Sequence, residues 1–251
     1  MGKIFSGIYK NFKETDGKLN VFQSEVYLKH IKSKLPSIYE NNNLKQFNNL
    51  SLLILILSGY QKQVTILDWG GGAGESFFQL NQKVYDDLDK INWCIMDNSK
   101  IIEIGEIFSN KIDLKQNVEL TFLNLEKNYQ VISKPIDILQ LGSVLQYIED
   151  WRDILLKLFK YESRYLLLED IFTGTIPQFV TVQEFFSNKI PFQFINIEDL
   201  IKFINDSQYK IISISDCIPI INNKEMFYDM SDFPSELRID RTKSFILKNK
   251  Y

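Results

Sequence analysis

Residues 65–74 read Thr-Ile-Leu-Asp-Trp-Gly-Gly-Gly-Ala-Gly, and this run limits the folds open to the chain more than any other stretch. An apolar, β-branched segment ends in an acid, Asp68, and a glycine turn follows at once. A helix-like segment over residues 75–85 comes next. Strand, tight turn and helix in that order are how α/β folds build a nucleotide pocket. Glycines let the backbone turn sharply and come close to a ligand. Their spacing matters more than their number. A dinucleotide fingerprint, G-x-G-x-x-G, read from Gly70 and Gly72 requires glycine at position 75, where Glu75 stands. The spacing present is G-x-G-x-G, over Gly70, Gly72 and Gly74, with Gly71 inside it and Asp68 ahead.

The rest of the chain repeats the strand–helix alternation. After the first strand (64–69), strands are expected at 92–96, 119–123, 136–141 and 165–168, with helices at 98–108 and 151–159. Alternation of this kind implies a parallel sheet with right-handed crossovers. Two further strands are expected at 210–217 and 243–248. Asn196 reads as the N-cap of a helix over 197–205. Residues 1–60 read as helical. One helix over 24–35 carries Val26, Tyr27, His30 and Ile31 near helical spacing and is stopped by Pro36; a second covers 44–57. Residues 171–195 read as a long aromatic connection, with Phe172, Phe179, Phe185, Phe186, Phe192 and Phe194 as core. A polar segment with Pro219, Asn222-Asn223 and Pro234 joins the last two strands. The expected architecture is therefore α/β. It is a Rossmann-like seven-stranded sheet with helices on both faces and an N-terminal helical cap. The cap is residues 1–60 and the rest, 61–251, is one compact domain.

Bulk properties exclude several classes. The chain has 251 residues, enough for one large α/β domain. Lys plus Arg number 29 against 32 Asp plus Glu, a net charge of −3, so no basic surplus points to nucleic acid or an anionic membrane. The longest apolar run, 52–57, falls far short of the ~20 residues a spanning helix needs. The N-terminus lacks the apolar core and cleavage site of a signal peptide. Cys94 and Cys217 lie on apolar segments and are expected to be buried thiols, which suits a reducing, cytoplasmic setting. One histidine and two cysteines argue against a His/Cys metal site.

The Asp68-x-Gly70-x-Gly72-x-Gly74 pattern resembles the first motif of the class I S-adenosylmethionine-dependent methyltransferases. A closer resemblance is carried by four segments: Gly7-Ile8-Tyr9-Lys10-Asn11-Phe12, Asp68-Trp69-Gly70-Gly71, Leu145-Gln146-Tyr147-Ile148 and Phe179-Val180-Thr181-Val182-Gln183. These look like an incompletely characterised bacterial family of methyltransferases associated with surface-polysaccharide gene clusters. The resemblance implies a sheet whose last strand is antiparallel, slotted beside the fifth, and S-adenosyl-L-methionine as cofactor. It also implies a small carbohydrate acceptor, as a nucleotide sugar or a capsular polysaccharide precursor. Composition and the count of His and Cys point to no nucleic acid, no membrane insertion and no metal, and an oligomer stays open.

The resemblance also assigns residues. Asp68 would meet the cationic amino end of the methionine moiety, while Gly70, Gly71, Gly72 and Gly74 form the backbone wall. Asp97, 23 residues after Gly74, would accept the ribose hydroxyls, a device that NAD enzymes share. Asn98 would lie near the ribose or adenine edge, Asn124 would reach the adenine amino group, and Leu125 would supply an apolar wall. Leu141, Gly142 and Ser143 would line the cofactor. Gln146 and Tyr147 stand where many relatives carry a histidine, which leaves the general base open among Asp170, His30, Tyr147 and Glu169. A sugar hydroxyl has a high pKa, and such a base contributes roughly 10²–10⁴-fold. Gln146 and Gln183 are candidate substrate contacts. Two other classes stay in view. An NAD-dependent oxidoreductase would lack its third glycine and its Tyr-x-x-x-Lys. A methyltransferase fold kept as a non-catalytic subunit would retain Asp68, Gly70, Gly72 and Asp97.

Overall fold

The computed structural model describes residues 4–40, 48–80, 82–127, 135–217, 220–221, 224–225 and 228–251. In chain order the elements begin with β1 (Phe5–Tyr9), α1 (Glu25–Glu40), α2 (Asn49–Ser58), β2 (Gln63–Trp69), α3 (Glu75–Gln79) and β3 (Lys90–Asp97). They continue with α4 (Ser99–Ser109), β4 (Val118–Asn124), β5 (Ile138–Gly142), α5 (Trp151–Phe159), β6 (Tyr165–Ile171) and β7 (Thr173–Gly174). The last are β8 (Phe179–Phe185), β9 (Asn188–Asn196), α6 (Ile197–Asn205), β10 (Tyr209–Cys217), β11 (Ile220–Ile221), β12 (Lys224–Glu225) and β13 (Thr242–Asn249).

Seven strands form a sheet in the order β10-β13-β6-β5-β2-β3-β4. The pairs β2–β3, β2–β5 and β3–β4 are parallel, and β13 runs antiparallel to β10. The expected Rossmann-like α/β fold is therefore present, with β13 next to β6. Chain order reverses between β2 and β5, the switch point beside which open α/β sheets bind ligands at their carboxyl ends.

The chain divides into two compact units built from separate stretches. The first comprises Phe22–Leu141 and Tyr161–Leu167. Its central strands are buried on both faces, so they read as continuous apolar runs: Val64, Ile66 and Leu67 of β2 and Ile91, Trp93 and Ile95 of β3 are all 0 % exposed. Helix α2 starts at a reciprocal cap: the Asn48 side chain accepts from Ser51 N and the Ser51 hydroxyl accepts from Asn48 N. The part of the expected second helix over residues 44–47 lies outside the described residues, as do Pro219 and Asn222-Asn223.

The second unit comprises Met1–Val21, Gly142–Lys160 and Leu168–Tyr251. It holds a sheet that the sequence reading missed, in the order β1-β8-β9-β7. Residues 171–195 are thus strands and not a connection. The β8–β9 hairpin turns at Phe186 and Ser187, with φ +49° and +59°, so no glycine or proline marks the turn. Residues 5–9, expected within helix, form a strand that pairs with β8 at Phe5↔Gln183, Ser6↔Val182 and Tyr9↔Val180. The Thr181 hydroxyl is within hydrogen-bonding reach of the Ser6 and Gly7 carbonyls, at 3.0 and 2.8 Å. The face of this sheet carries part of the aromatic core expected from the sequence, Phe172, Phe179, Phe192 and Phe194, with Phe5 and Phe233; Phe185 and Phe186 are half-buried at the hairpin turn and lie outside it. Rings of Phe179 and Phe194 stack 4.7 Å apart.

Two helix limits also differ from expectation. Pro36 does not stop α1, which runs on to Glu40. Ile31, Leu35 and Ile38 make one buried stripe across the proline, and Tyr39 beyond it meets Phe78 and Phe108 edge-on. Packing there offsets the lost backbone hydrogen bond. The segment after the glycine turn is shorter than 75–85: α3 ends at Gln79 and a tight 3-10 turn covers Gln82–Tyr85.

Candidate functional site

In the first unit the turn after β2 is held almost entirely by its own chain. Gly70, Gly72 and Gly74 have φ of +71°, +61° and +96°, a region that favours glycine. A Cβ at Gly71 would lie 2.6 Å from Asp68 Cγ, so that glycine is needed for space. Four turn amides already donate within the protein. Gly70 N meets the Met96 carbonyl at 2.8 Å and Gly74 N the Gly71 carbonyl at 3.0 Å. Gly72 N meets Asp97 Oδ2 at 2.9 Å, and Ala73 N meets Glu75 Oε2 at 2.9 Å.

Three carboxylates therefore gather on this turn: Asp68 below it, Glu75 at the start of α3, and Asp97 at the end of β3. Asp68 is buried, at 1 % exposure, and pairs in register with Gln140 across the switch point. Burial is the main cause raising the carboxyls of both Glu75 and Asp97. Hydrogen bonds to the turn oppose it, and Lys34 also lowers Glu75. Tyr27, half-buried on α1, has its phenol raised by burial first, then by the charges of Glu75 and Asp97. Helix α1 packs on α3 and α4, which brings this side chain to the turn.

Asp97, Asn98, Asn124 and Leu125 come together as expected. Asp97 and Asn124 are register partners at the ends of β3 and β4, and Leu125 N donates to the Asp97 carbonyl at 2.9 Å. The Asn98 side chain is divided between two tasks. Its Oδ1 caps α4 by accepting from Ile101 N at 3.3 Å, and its Nδ2 donates to Asp97 Oδ1 at 2.9 Å. Asn124 Oδ1 accepts from Glu126 N at 2.9 Å, a local turn that orients its amide. Leu141 is fully buried at the end of β5. His30 is exposed on α1.

Glu75 and Tyr27 went unassigned in the sequence. Glu75 drew notice only as the residue in place of a third glycine. An acid in the first turn of a helix directly after a glycine loop was the signal available.

In the second unit the remaining candidates form two groups. Tyr147 donates its hydroxyl to Gln183 Oε1 at 2.9 Å, joining two sequence candidates 36 residues apart. The Tyr147 ring also meets Phe192 edge-on at 5.2 Å. The turn Leu145–Tyr147 is clamped by buried Gln193, whose Nε2 donates to the Ile148 carbonyl. Gln146 and Gln183, the two candidate substrate contacts, are both buried, at 1 % and 8 % exposure.

Asp170 is the centre of the second group. Its Oδ2 accepts from Ser143 Oγ at 2.5 Å and its Oδ1 from Thr242 Oγ1 at 2.6 Å. Burial is the largest influence and raises its carboxyl, while the two hydroxyls lower it. Ser143, expected to line the cofactor beside Gly142, gives its hydroxyl to this carboxylate. Its amide donates to the Glu169 carbonyl at 2.9 Å. Thr242 had no sequence signal, being a polar residue opening a strand. Cys94 and Cys217 are half-buried, not fully buried, and no disulfide joins them.

Among the described residues no cluster of three or more His, Cys, Asp or Glu could hold a metal ion. No described helix is long and apolar enough to cross a membrane.

Strand order, switch point and glycine turn define the fold of the class I S-adenosylmethionine-dependent methyltransferases. Solved structures share that fold. A S-adenosylmethionine-dependent methyltransferase from Methanosarcina mazei is 16% identical, with TM-score 0.54 over 77% of this chain and 96% of its own. An O-methyltransferase from neocarzinostatin biosynthesis, in complex with S-adenosyl-L-homocysteine and 1,4-dihydroxy-2-naphthoic acid, is 10% identical. It matches at TM-score 0.53, over 94% of this chain and 62% of its own. A pericyclic reaction enzyme is 11% identical, with TM-score 0.51 over 90% of this chain and 53% of its own. No protein-family model matches the chain, and no curated protein matches its sequence. Likeness at these identities is one of fold, and the same fold serves more than one chemistry.

Proposed function

We propose that this chain is a S-adenosylmethionine-dependent O-methyltransferase whose acceptor is a sugar hydroxyl. The observation that carries the cofactor half is the charge of the glycine turn. Dinucleotide sites offer open backbone amides to a pyrophosphate. Here the amides of Gly70, Gly72, Ala73 and Gly74 are taken, and Asp68, Glu75 and Asp97 surround them. Such a turn repels a pyrophosphate and attracts a ligand carrying a sulfonium and an ammonium group. That separates the reading from an NAD-dependent oxidoreductase.

The residues present fit the cofactor. Bare glycine backbone lets it approach, and Asp68 is the counter-charge for its amino end. Asp97 already accepts from Gly72 N, Asn98 N and Asn98 Nδ2, which leaves about one of its roughly four lone-pair sites for a ribose hydroxyl. Asn124 and Leu125 serve the adenine, and Leu141 adds an apolar wall. Helix α1 takes the part of the expected cap through Tyr27. When bound, the cofactor supplies an electrophilic methyl group. The protein's remaining task is to orient an acceptor and take its proton. Gln183, fixed by Tyr147, is the proposed acceptor contact, and Asp170 the proposed base.

The sugar, and a place in surface-polysaccharide synthesis, rest on the resemblance of four segments. Three of them support one another in the fold: residues 5–9 pair with residues 179–185, and Tyr147 joins Gln183. Half-buried, unbridged cysteines suit the proposed cytoplasmic setting. The test is methyl transfer from labelled S-adenosylmethionine to a panel of nucleotide sugars and polysaccharide precursors. Label in a sugar hydroxyl is expected. Label only in phenolic or carboxylate acceptors would overturn the sugar assignment. Cofactor binding with no transfer to any acceptor would favour a non-catalytic subunit.

A further inference from the structure

Ser143 and Asp170 both carry side chains at left-handed backbone positions, with φ +55° and +54°. Residues with a Cβ hold such positions only where surroundings impose them, and these cluster at functional sites. The two are also bonded to each other, Ser143 Oγ to Asp170 Oδ2 at 2.5 Å. A second tie runs from Ser143 N to the carbonyl of Glu169, the residue before Asp170, at 2.9 Å. Exposure is unequal: Ser143 is exposed and Asp170 half-buried. A reachable hydroxyl is thus backed by a carboxylate. The pair stands at the carboxyl ends of β5 and β6, the edge where open α/β sheets place ligands.

We propose that Ser143 and Asp170 are a proton-accepting dyad, with Thr242 as the positioning residue that fixes the carboxylate. This inference rests on the methyltransferase reading. The acceptor's O–H bond breaks as its oxygen bonds to the methyl carbon. The electron pair of the carbon–sulfur bond stays on sulfur, which becomes a neutral thioether. The acceptor's proton goes to Ser143 Oγ, and the serine's own proton goes to Asp170 Oδ2. Asp170 ends as a neutral acid.

The groups facing Asp170 are Ser143, Thr242, Cys217 and Tyr228, with Glu169 adjacent in the chain. Burial first, and then the charge of Asp170, raise both the Cys217 thiol and the Tyr228 phenol. Neither competes with Asp170 for ionisation near neutral pH. A carboxylate raised by burial is also a better proton acceptor than an exposed one.

The test follows the ionisation of Asp170 by infrared spectroscopy, as wild type minus Asp170→Asn, in the full chain. Ser143→Ala and Thr242→Val each remove a donor to the charged form, so both should move the titration midpoint to higher pH. Midpoints that stay put overturn the dyad. Calorimetry with S-adenosylhomocysteine gives a second readout. Ser143→Ala should keep its affinity within about twofold, as a site not shared with the cofactor does. An affinity loss of about tenfold or more would make Ser143 part of the cofactor wall and overturn the relay. With a sugar nucleotide that the wild type methylates, Ser143→Ala should lose about 10²-fold in turnover. Unchanged turnover in Ser143→Ala overturns the relay. A wild type that neither binds the adenosyl ligands nor transfers methyl refutes the methyltransferase reading. The infrared midpoints then still judge the Ser143–Asp170 coupling by themselves.

Discussion

Replacing Gly72 by alanine tests the turn more sharply than any other small change. Gly72 has φ +61°, and an added Cβ would lie 2.6 Å from Glu75 Oε2. The left-handed backbone costs alanine roughly 1–2 kcal/mol. Glu75 must also withdraw from Ala73 N, now at 2.9 Å. Losing that hydrogen bond to a carboxylate costs about 1.5–3 kcal/mol more. The sum, about 2.5–5 kcal/mol, corresponds to a fall in Tm of roughly 5–20 °C for a chain of this size. Scanning calorimetry reads it directly. Added to Glu75→Ala, where the close contact and the hydrogen bond are already gone, Gly72→Ala should cost only the backbone share. Gly59→Ala is the control. Gly59 has φ −67°, and its added Cβ would meet Ile56 O at an ordinary 3.4 Å. That substitution should be neutral or stabilising by about 0.4–1 kcal/mol. If Gly72→Ala melts within about 1 °C of wild type, the turn is not packed as described and the reasoning fails.

Asp97→Ala should weaken S-adenosylhomocysteine binding through the loss of a charge-assisted hydrogen bond worth ~1.5–3 kcal/mol; normal affinity would mean that the ribose lies elsewhere. Tyr147→Phe removes the hydroxyl donated to Gln183 and should cost about 0.5–1.5 kcal/mol of stability, and raise KM for the acceptor while leaving cofactor affinity intact. Equal effects on both ligands would refute that separation. The buried acids set a pH dependence. Glu75, Asp97 and Asp170 are raised in the folded state, so the native chain binds more protons than the unfolded one. Their share of stability is present below the ordinary carboxylate range and is lost as pH rises from about 4 through their raised values. Glu75→Gln should therefore flatten the fall of Tm over that window and raise Tm at neutral pH. A wild-type Tm that climbs throughout the window would contradict the assigned directions.

The parts of this fold legible in the sequence are those whose signals are local. An apolar run, an acid and glycines fixed β2 and its turn. Helices α5 and α6 fall at the expected residues because Asp150 and Asn196 cap them, each accepting from an amide three residues on. What the sequence hid depends on partners far away. Strand β1 exists because β8, some 170 residues later, pairs with it. The β8–β9 hairpin has Phe186 and Ser187 where turn chemistry favours Asn-Gly, so its strands read as a connection. Pro36 reads as a stop until α3 and α4 are there to hold Tyr39 through Phe78 and Phe108. In the site, Asp68, Asp97 and Asn124 carry strand-end signals, whereas Thr242 meets Asp170 across 72 residues and gives none.

Calorimetric titration of the purified chain with S-adenosylmethionine, S-adenosylhomocysteine and NAD in parallel tests the central claim most directly. A turn whose amides are taken and whose charges are negative should bind both adenosyl ligands in the micromolar range and give no heat with NAD. Binding of NAD alone, or of none of the three, would contradict it.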